Sequence, residues 1–139
     1  MLAYCLMTNH AHLLVHARVE ELSKAMHLLA GWYAQRFNKR HEITGHHFQG
    51  RFGSEPAVRD AHLLATVRYV ALNPVEAGLS ARPQDWEWSS YSAAIGKRQA
   101  PRFLKRAALH ELFGPTRATA IERMREFVEH DGTNPLSVS

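Results

Sequence analysis

The chain has 139 residues, of which 45% are hydrophobic and one is cysteine, which fits one domain with a modest core and excludes an internal disulfide or a cysteine-based metal site. It has no run of about 20 apolar residues and does not open on a secretion signal, so we predict a cytoplasmic protein without a membrane span. Seventeen Lys and Arg against 13 Asp and Glu favour a polyanionic partner such as nucleic acid.

Two short β-prone runs, LAYCL at 2–6 and HAHLLVH at 10–16, open the chain. The short polar turn between them predicts a β-hairpin. Because side chains alternate along a strand, His10, His12 and His16 should share one face of the second strand.

Helical spacing of apolar residues predicts three helices further along, at 21–40, 60–73 and about 115–129. For the second helix we expect Asp60 as the N-cap and Pro74 as the stop, with a buried stripe on the Leu63, Val67, and Val70 or Ala71 face.

The connecting segments are predicted to be loops. Residues 44–58 should form a loop that leads into a short edge strand, and residues 75–94 should be rich in turns. Trp86 and Trp88 are expected to pack against the fold. Residues 97–106 form a basic segment.

The His10-Ala11-His12 sequence offers two nitrogen ligands on one strand face. Imidazoles at positions i and i+2 start about 7 Å apart at Cα and can converge on one divalent ion. The alternative is that the pair is structural, since ten histidines in one chain make this spacing easy to reach by chance.

Tyr69 and Asn73 lie one helical turn apart on the predicted second helix. A phenol beside a bound metal can attack a phosphodiester, and an amide oxygen can complete the metal's protein ligands. The alternative is that Tyr69 is a half-buried aromatic residue of an amphipathic helix and that Asn73 simply ends the helix before proline.

Four motifs in one order, AYCLMTNHAHLLV, HHFQGRF, RYVALNPVEAGL and WEWSSY, resemble the REP-associated tyrosine transposases, a branch of the single-tyrosine HUH nucleases. The resemblance implies an α+β fold with helices packed on an antiparallel, ferredoxin-like sheet. It also implies Tyr69 as the nucleophile and His10, His12 and Asn73 as ligands of Mg²⁺ or Mn²⁺.

The implied activity is cleavage and rejoining of single-stranded DNA next to REP-like hairpins, through a 5′-phosphotyrosine intermediate. Basic and polar side chains suit backbone contacts with such a strand. The expected DNA-binding residues are Arg36, Arg40, Gln49, Arg51, Lys97, Arg98, Lys105 and Arg106.

Family members usually carry a strand and a helix upstream of the first motif, so we expect an N-terminally incomplete core. We predict a single domain over 1–130, a flexible tail over 131–139, and a sheet edge that a second subunit could fill in a homodimer. Two alternatives stay open: an inactive or truncated DNA-binding relative, and an unrelated metal-binding or RNA-binding α+β domain.

Overall fold

The computed structural model of the protein describes residues 1–50, 52–57 and 59–130, so the predicted tail lies outside the described residues. Within these ranges the chain is an α+β protein with a two-stranded antiparallel sheet and five α-helices, which confirms the predicted fold class. It divides into two compact units, one of Met1–His16 with Ala57–Ser139 and one of Ala17–Pro56.

The first unit opens with the predicted hairpin. Strands β1 (Ala3–Leu6) and β2 (Ala11–Leu14) pair so that Ala3 lies opposite Leu14 and Leu6 opposite Ala11. The Met7 N–H donates to the His10 carbonyl at 2.8 Å and closes the turn. The polar turn and the alternation of apolar side chains on either side of it thus together set the register of the hairpin.

The other edge of β1 is covered by the WEWSSY motif. Cys5 forms an antiparallel bridge with Ser89, and the Leu6 N–H donates to the Trp88 carbonyl at 2.9 Å. The Trp86 indole N–H donates to the Leu6 carbonyl at 2.9 Å, and its ring packs against the core as predicted. Trp88 is instead 56% exposed, so the packing prediction is wrong for this ring.

Helix α2 (Asp60–Glu76) packs against both strands. Its N-cap is Arg59, and Asp60 is the first helical residue. Pro74 does not stop the helix but lies within it, because its ring is buried in the core and its carbonyl accepts the backbone N–H of Leu79 as the helix closes. The buried face carries Val67, Val70 and Ala71 as predicted, with Leu64 buried more deeply than Leu63.

A 3₁₀ turn (Pro83–Asp85) and helices α3 (Tyr91–Ala94), α4 (Arg106–Glu111) and α5 (Arg117–Glu129) complete this unit. Thr116 caps α5 by accepting the Thr119 N–H at 3.2 Å. The core joins the sheet, α2 and these later helices through the following buried side chains: Cys5, Leu14, Val67, Tyr91, Leu109, Met124, Phe127 and Val128.

The second unit contains helix α1 (Val19–His41), which extends the predicted helix by a few residues. None of its residues is buried, although an amphipathic helix was expected. In the last turn of the helix, the Asn38 side-chain amide donates to the carbonyl of Gly45, in the following loop, at 3.2 Å. The predicted edge strand does not form over the described positions 44–50 and 52–57.

Across the described residues, no helix combines the length and the apolar character that a membrane crossing requires.

Candidate active site

His12 is positioned by the register of the hairpin. It lies directly opposite Cys5, and Leu14 lies opposite Ala3. Paired residues of an antiparallel ladder project from the same face, and Ala3, Cys5 and Leu14 are all buried there. His12 therefore lies at the end of a buried row on the sheet face that α2 covers, and it is itself half-buried.

His10 lies just before β2 and brings its ring to that of His12. The two Nε2 atoms are 3.0 Å apart, and the ring centroids are 4.8 Å apart in an edge-to-face arrangement. On its other side, Nδ1 of His10 lies 2.7 Å from Oδ1 of Asn9. The two histidines therefore present the same type of nitrogen to one point.

Helix α2 brings Tyr69 and Asn73 to the same place. The Tyr69 ring lies 5.1 Å from the His12 ring, with an interplanar angle of 79°, and half of the tyrosine is exposed. The Asn73 side chain lies close enough to His12 to act on the pKa of that imidazole as a hydrogen-bond partner. The structure thus gathers four residues predicted from the sequence: His10, His12, Tyr69 and Asn73.

The environment of His12 favours its neutral form. Burial lowers the pKa of His12, the neighbouring His10 lowers it further, and the hydrogen bond to Asn73 opposes part of the shift. A metal ligand must be neutral imidazole, so this environment keeps a lone pair available at neutral pH.

The spacing of the two histidine nitrogens suits a shared divalent ion. Donors at about 2.0–2.1 Å in octahedral coordination leave neighbouring ligand atoms about 3.0 Å apart. His10 and His12 show this separation between their Nε2 atoms. Within the described ranges no group of three or more His, Cys, Asp or Glu side chains could hold a metal.

Tyr91, unlike the half-exposed Tyr69, is buried. It is 2% exposed, and its hydroxyl donates to Oε1 of Glu129 at 2.8 Å. Burial and this bond raise the pKa of Tyr91 above its usual value near 10. In the same unit, Tyr4 projects from the opposite sheet face and packs on Phe103 with ring centroids 5.8 Å apart.

The residues predicted to bind DNA lie in both units. In the second unit Arg36, Arg40 and Gln49 are exposed, whereas Arg51 lies outside the described residues. In the first unit, Lys97, Arg98 and Lys105 are exposed and Arg106 is half-buried.

Two of these arginines have structural contacts that the sequence does not reveal. Arg98 donates to the Glu87 carbonyl at 2.7 Å, and Arg106 donates to the Ala93 carbonyl at 3.5 Å. Lys97 and Lys105 are further candidates for phosphate contacts within this unit, and Lys97 also acts on Glu129, whose pKa it lowers.

Sequence reasoning missed Asn9. An amide next to a histidine can be recognised in the sequence, but its contact depends on the conformation of the turn. The structure shows that contact directly, because the Asn9 oxygen lies against the His10 ring.

Comparison with known proteins gives the class of this chain. The family described as "Transposase IS200 like" matches residues 1–73, which is more than half of the chain and reaches from the hairpin to Asn73. The chain belongs to this family, and it is therefore a transposase, an enzyme that processes DNA. No curated protein and no solved structure gives a significant match.

Proposed function

We propose that the chain is a REP-associated tyrosine transposase of the single-tyrosine HUH type. In this proposal it cleaves and rejoins single-stranded DNA beside a hairpin, with Tyr69 as the nucleophile. His10, His12 and Asn73 hold Mg²⁺ or Mn²⁺. Membership of the IS200-like transposase family supports the DNA-processing part and argues against an unrelated metal-binding or RNA-binding domain.

The observation that carries the proposal is the contact between the Tyr69 and His12 rings, whose centroids are 5.1 Å apart. A covalent nucleophile has to be exposed to substrate and close to the group that polarises the phosphate. Tyr69 is half exposed and lies beside a pair of histidine nitrogens whose spacing fits a divalent ion.

The proposed reaction exchanges one phosphodiester for another. The Tyr69 oxygen forms a bond to phosphorus while the bond from phosphorus to the 3′ oxygen breaks, and the phenolic proton leaves as the 3′ oxygen gains one. The product is a 5′-phosphotyrosine and a free 3′-OH, and attack by another 3′-OH reverses the step. A bound divalent ion would polarise the phosphate and stabilise the leaving oxygen.

The chain's own residues would then set the geometry of the reaction. The two histidines and Asn73 would fix the position of the phosphate relative to Tyr69. Helix α2 carries both Tyr69 and Asn73, so nucleophile and ligand stay in register. Positioning of the reacting groups can supply a large part of the rate enhancement in reactions of this kind.

The REP-associated subtype is supported by the order of the four motifs and by basic side chains that suit a DNA backbone. Exposed Lys97 and Lys105 belong to the same unit as Tyr69. Cations of this kind bind phosphates without base specificity, and hairpin selection would need further contacts.

Incubation of the protein with an end-labelled DNA hairpin that carries single-stranded flanks tests the proposal. With Mg²⁺ or Mn²⁺, a labelled band of protein-linked DNA should survive denaturing electrophoresis. The band should be absent with EDTA and absent for Tyr69→Phe. A flank without the hairpin should give much less product.

Tyr33→Phe is the matched control, because Tyr33 is 53% exposed and Tyr69 50%. It should form the adduct like the wild type. Adduct formation by Tyr69→Phe would overturn the assignment of the nucleophile. Hairpin binding without any adduct under either metal would instead favour the catalytically inactive DNA-binding relative.

A further inference from the structure

Asn9 occupies the last position of the hairpin turn, next to His10. The turn is closed by the bond from the Met7 N–H to the His10 carbonyl, and Asn9 is exposed. Its Oδ1 lies 2.7 Å from Nδ1 of His10, which is a short hydrogen bond.

This contact decides which nitrogen of His10 carries the proton. An amide oxygen can only accept, so Nδ1 of His10 must be the N–H that donates to it. In a neutral imidazole the other nitrogen then holds the lone pair. That other nitrogen is Nε2, which points at Nε2 of His12 from 3.0 Å.

We propose that Asn9 is a positioning residue that fixes His10 in the tautomer protonated at Nδ1 and so aims the lone pair of its Nε2 at the candidate metal site. The inference deepens the proposed function and rests on its metal site. Outer partners of this kind fix the tautomer and the ring orientation of metal-binding histidines.

The two histidines would then be held in different ways. Asn9, from the adjacent turn, contacts His10, whereas Asn73, from helix α2, contacts His12. Loss of Asn9 should therefore alter the tautomer and orientation of the His10 ring while leaving the contact between His12 and Tyr69 in place.

The tautomer can be read without metal and without DNA, by long-range ¹H–¹⁵N correlation spectra of the histidine side chains. In the wild type, His10 should show a protonated Nδ1 and an unprotonated Nε2. Asn9→Ala should lose this preference. Asn9→Asp keeps an acceptor oxygen and should restore it, and Thr8→Ala, at the neighbouring turn position, should leave it unchanged.

Titration with Mn²⁺, followed by electron paramagnetic resonance of the free ion, gives the second measurement. Asn9→Ala should weaken binding by about 10- to 100-fold, the usual cost of losing such an outer partner. Asn9→Asp should bind at least as tightly as the wild type, and Thr8→Ala should bind equally well.

The two measurements separate the failure of this inference from the failure of the proposed function. An Asn9→Ala protein that keeps both the Nδ1-protonated tautomer and wild-type Mn²⁺ affinity would overturn the role of Asn9. An equal loss in Thr8→Ala would do the same, because it would assign the effect to the turn backbone. A wild type that shows the expected tautomer but binds no Mn²⁺ would overturn the metal site while leaving the tautomer assignment standing.

Discussion

Cys5 and His12 are direct partners across the hairpin, so a fully buried thiol and a half-buried imidazole project from the same sheet face. Side chains along a strand alternate between the two faces of the sheet. A slip of the pairing register by one residue would therefore move His12 to the other face. The burial of Cys5 therefore holds the histidine on the side of α2.

We predict that the Cys5 thiol is almost unreactive in the folded protein. Burial raises the pKa of Cys5, partly offset by a hydrogen bond to Ser89, and the thiol is 0% exposed. Since the thiolate is the reactive form, a disulfide reagent such as DTNB should modify far less than one thiol per chain in buffer and one in denaturant. Rapid modification in buffer would show that the sheet opens readily at β1.

Removal of either histidine should abolish tight metal binding. His10→Ala and His12→Ala should each weaken Mn²⁺ binding by at least about 100-fold, since loss of an outer partner alone costs about 10- to 100-fold. His16→Ala is the matched control, because His16 is exposed and lies beyond the end of β2. Calorimetry measures all three, and equal losses for His16→Ala and His12→Ala would contradict the proposed ligands.

Hairpin binding should weaken steeply with salt, because each phosphate contact releases counterions. For single strands, removal of one contact should lower the slope of log K against log salt by about 0.7. Lys97→Ala with Lys105→Ala should therefore lower the slope by about 1.4. Lys24→Ala, on exposed α1, serves as the control in fluorescence anisotropy. An unchanged slope in the double variant would exclude both lysines as phosphate contacts.

The contact between Tyr91 and Glu129 should stabilise the fold above acidic pH. Burial raises the pKa of Glu129, but hydrogen bonds from Arg125 and Tyr91 outweigh it, and the net pKa lies below the ordinary value of 4.5. A carboxyl whose folded pKa is lowered contributes its full stability above the unfolded pKa and loses it as pH falls through the folded pKa.

Glu129→Gln should therefore lower the free energy of unfolding by about 1 kcal/mol at neutral pH, and the difference from wild type should shrink below pH 4.5. Urea unfolding at several pH values measures this. Glu126→Gln, at an exposed position of α5, should have little effect at any pH. If the free energy of unfolding of Glu129→Gln stays below that of the wild type by a constant amount down to low pH, the proposed link between stability and the ionisation of Glu129 is refuted.

The sequence was informative where local pattern and chemistry agree. Alternation predicted the hairpin, and helical spacing placed Tyr69 and Asn73 on one face of α2. The convergence of these side chains with the histidines could be proposed only through family resemblance, because strand and helix are far apart in the chain. The structure supplies the ring contact between His12 and Tyr69.

Other features depended on tertiary contacts that no local pattern reveals. Pro74 has the sequence signature of a helix stop, yet burial of its ring and the bonds to its carbonyl keep it inside α2. The two serines of WEWSSY read as turn residues, whereas Ser89 bridges Cys5 and the Ser90 hydroxyl accepts the Tyr4 N–H. Whether a segment such as this one pairs with a strand depends on which distant strand the fold places beside it.

The pairing of Ser90 with Tyr4 also bears on how the protein is made. The bond joins residues 86 positions apart, and an isolated two-stranded hairpin is marginal in water. During synthesis the histidines leave the ribosome first, then Tyr69, and only afterwards the segment that covers the edge of β1. Contacts of such long sequence separation form late, so we expect the candidate site of the nascent chain to remain unassembled until α3 has emerged.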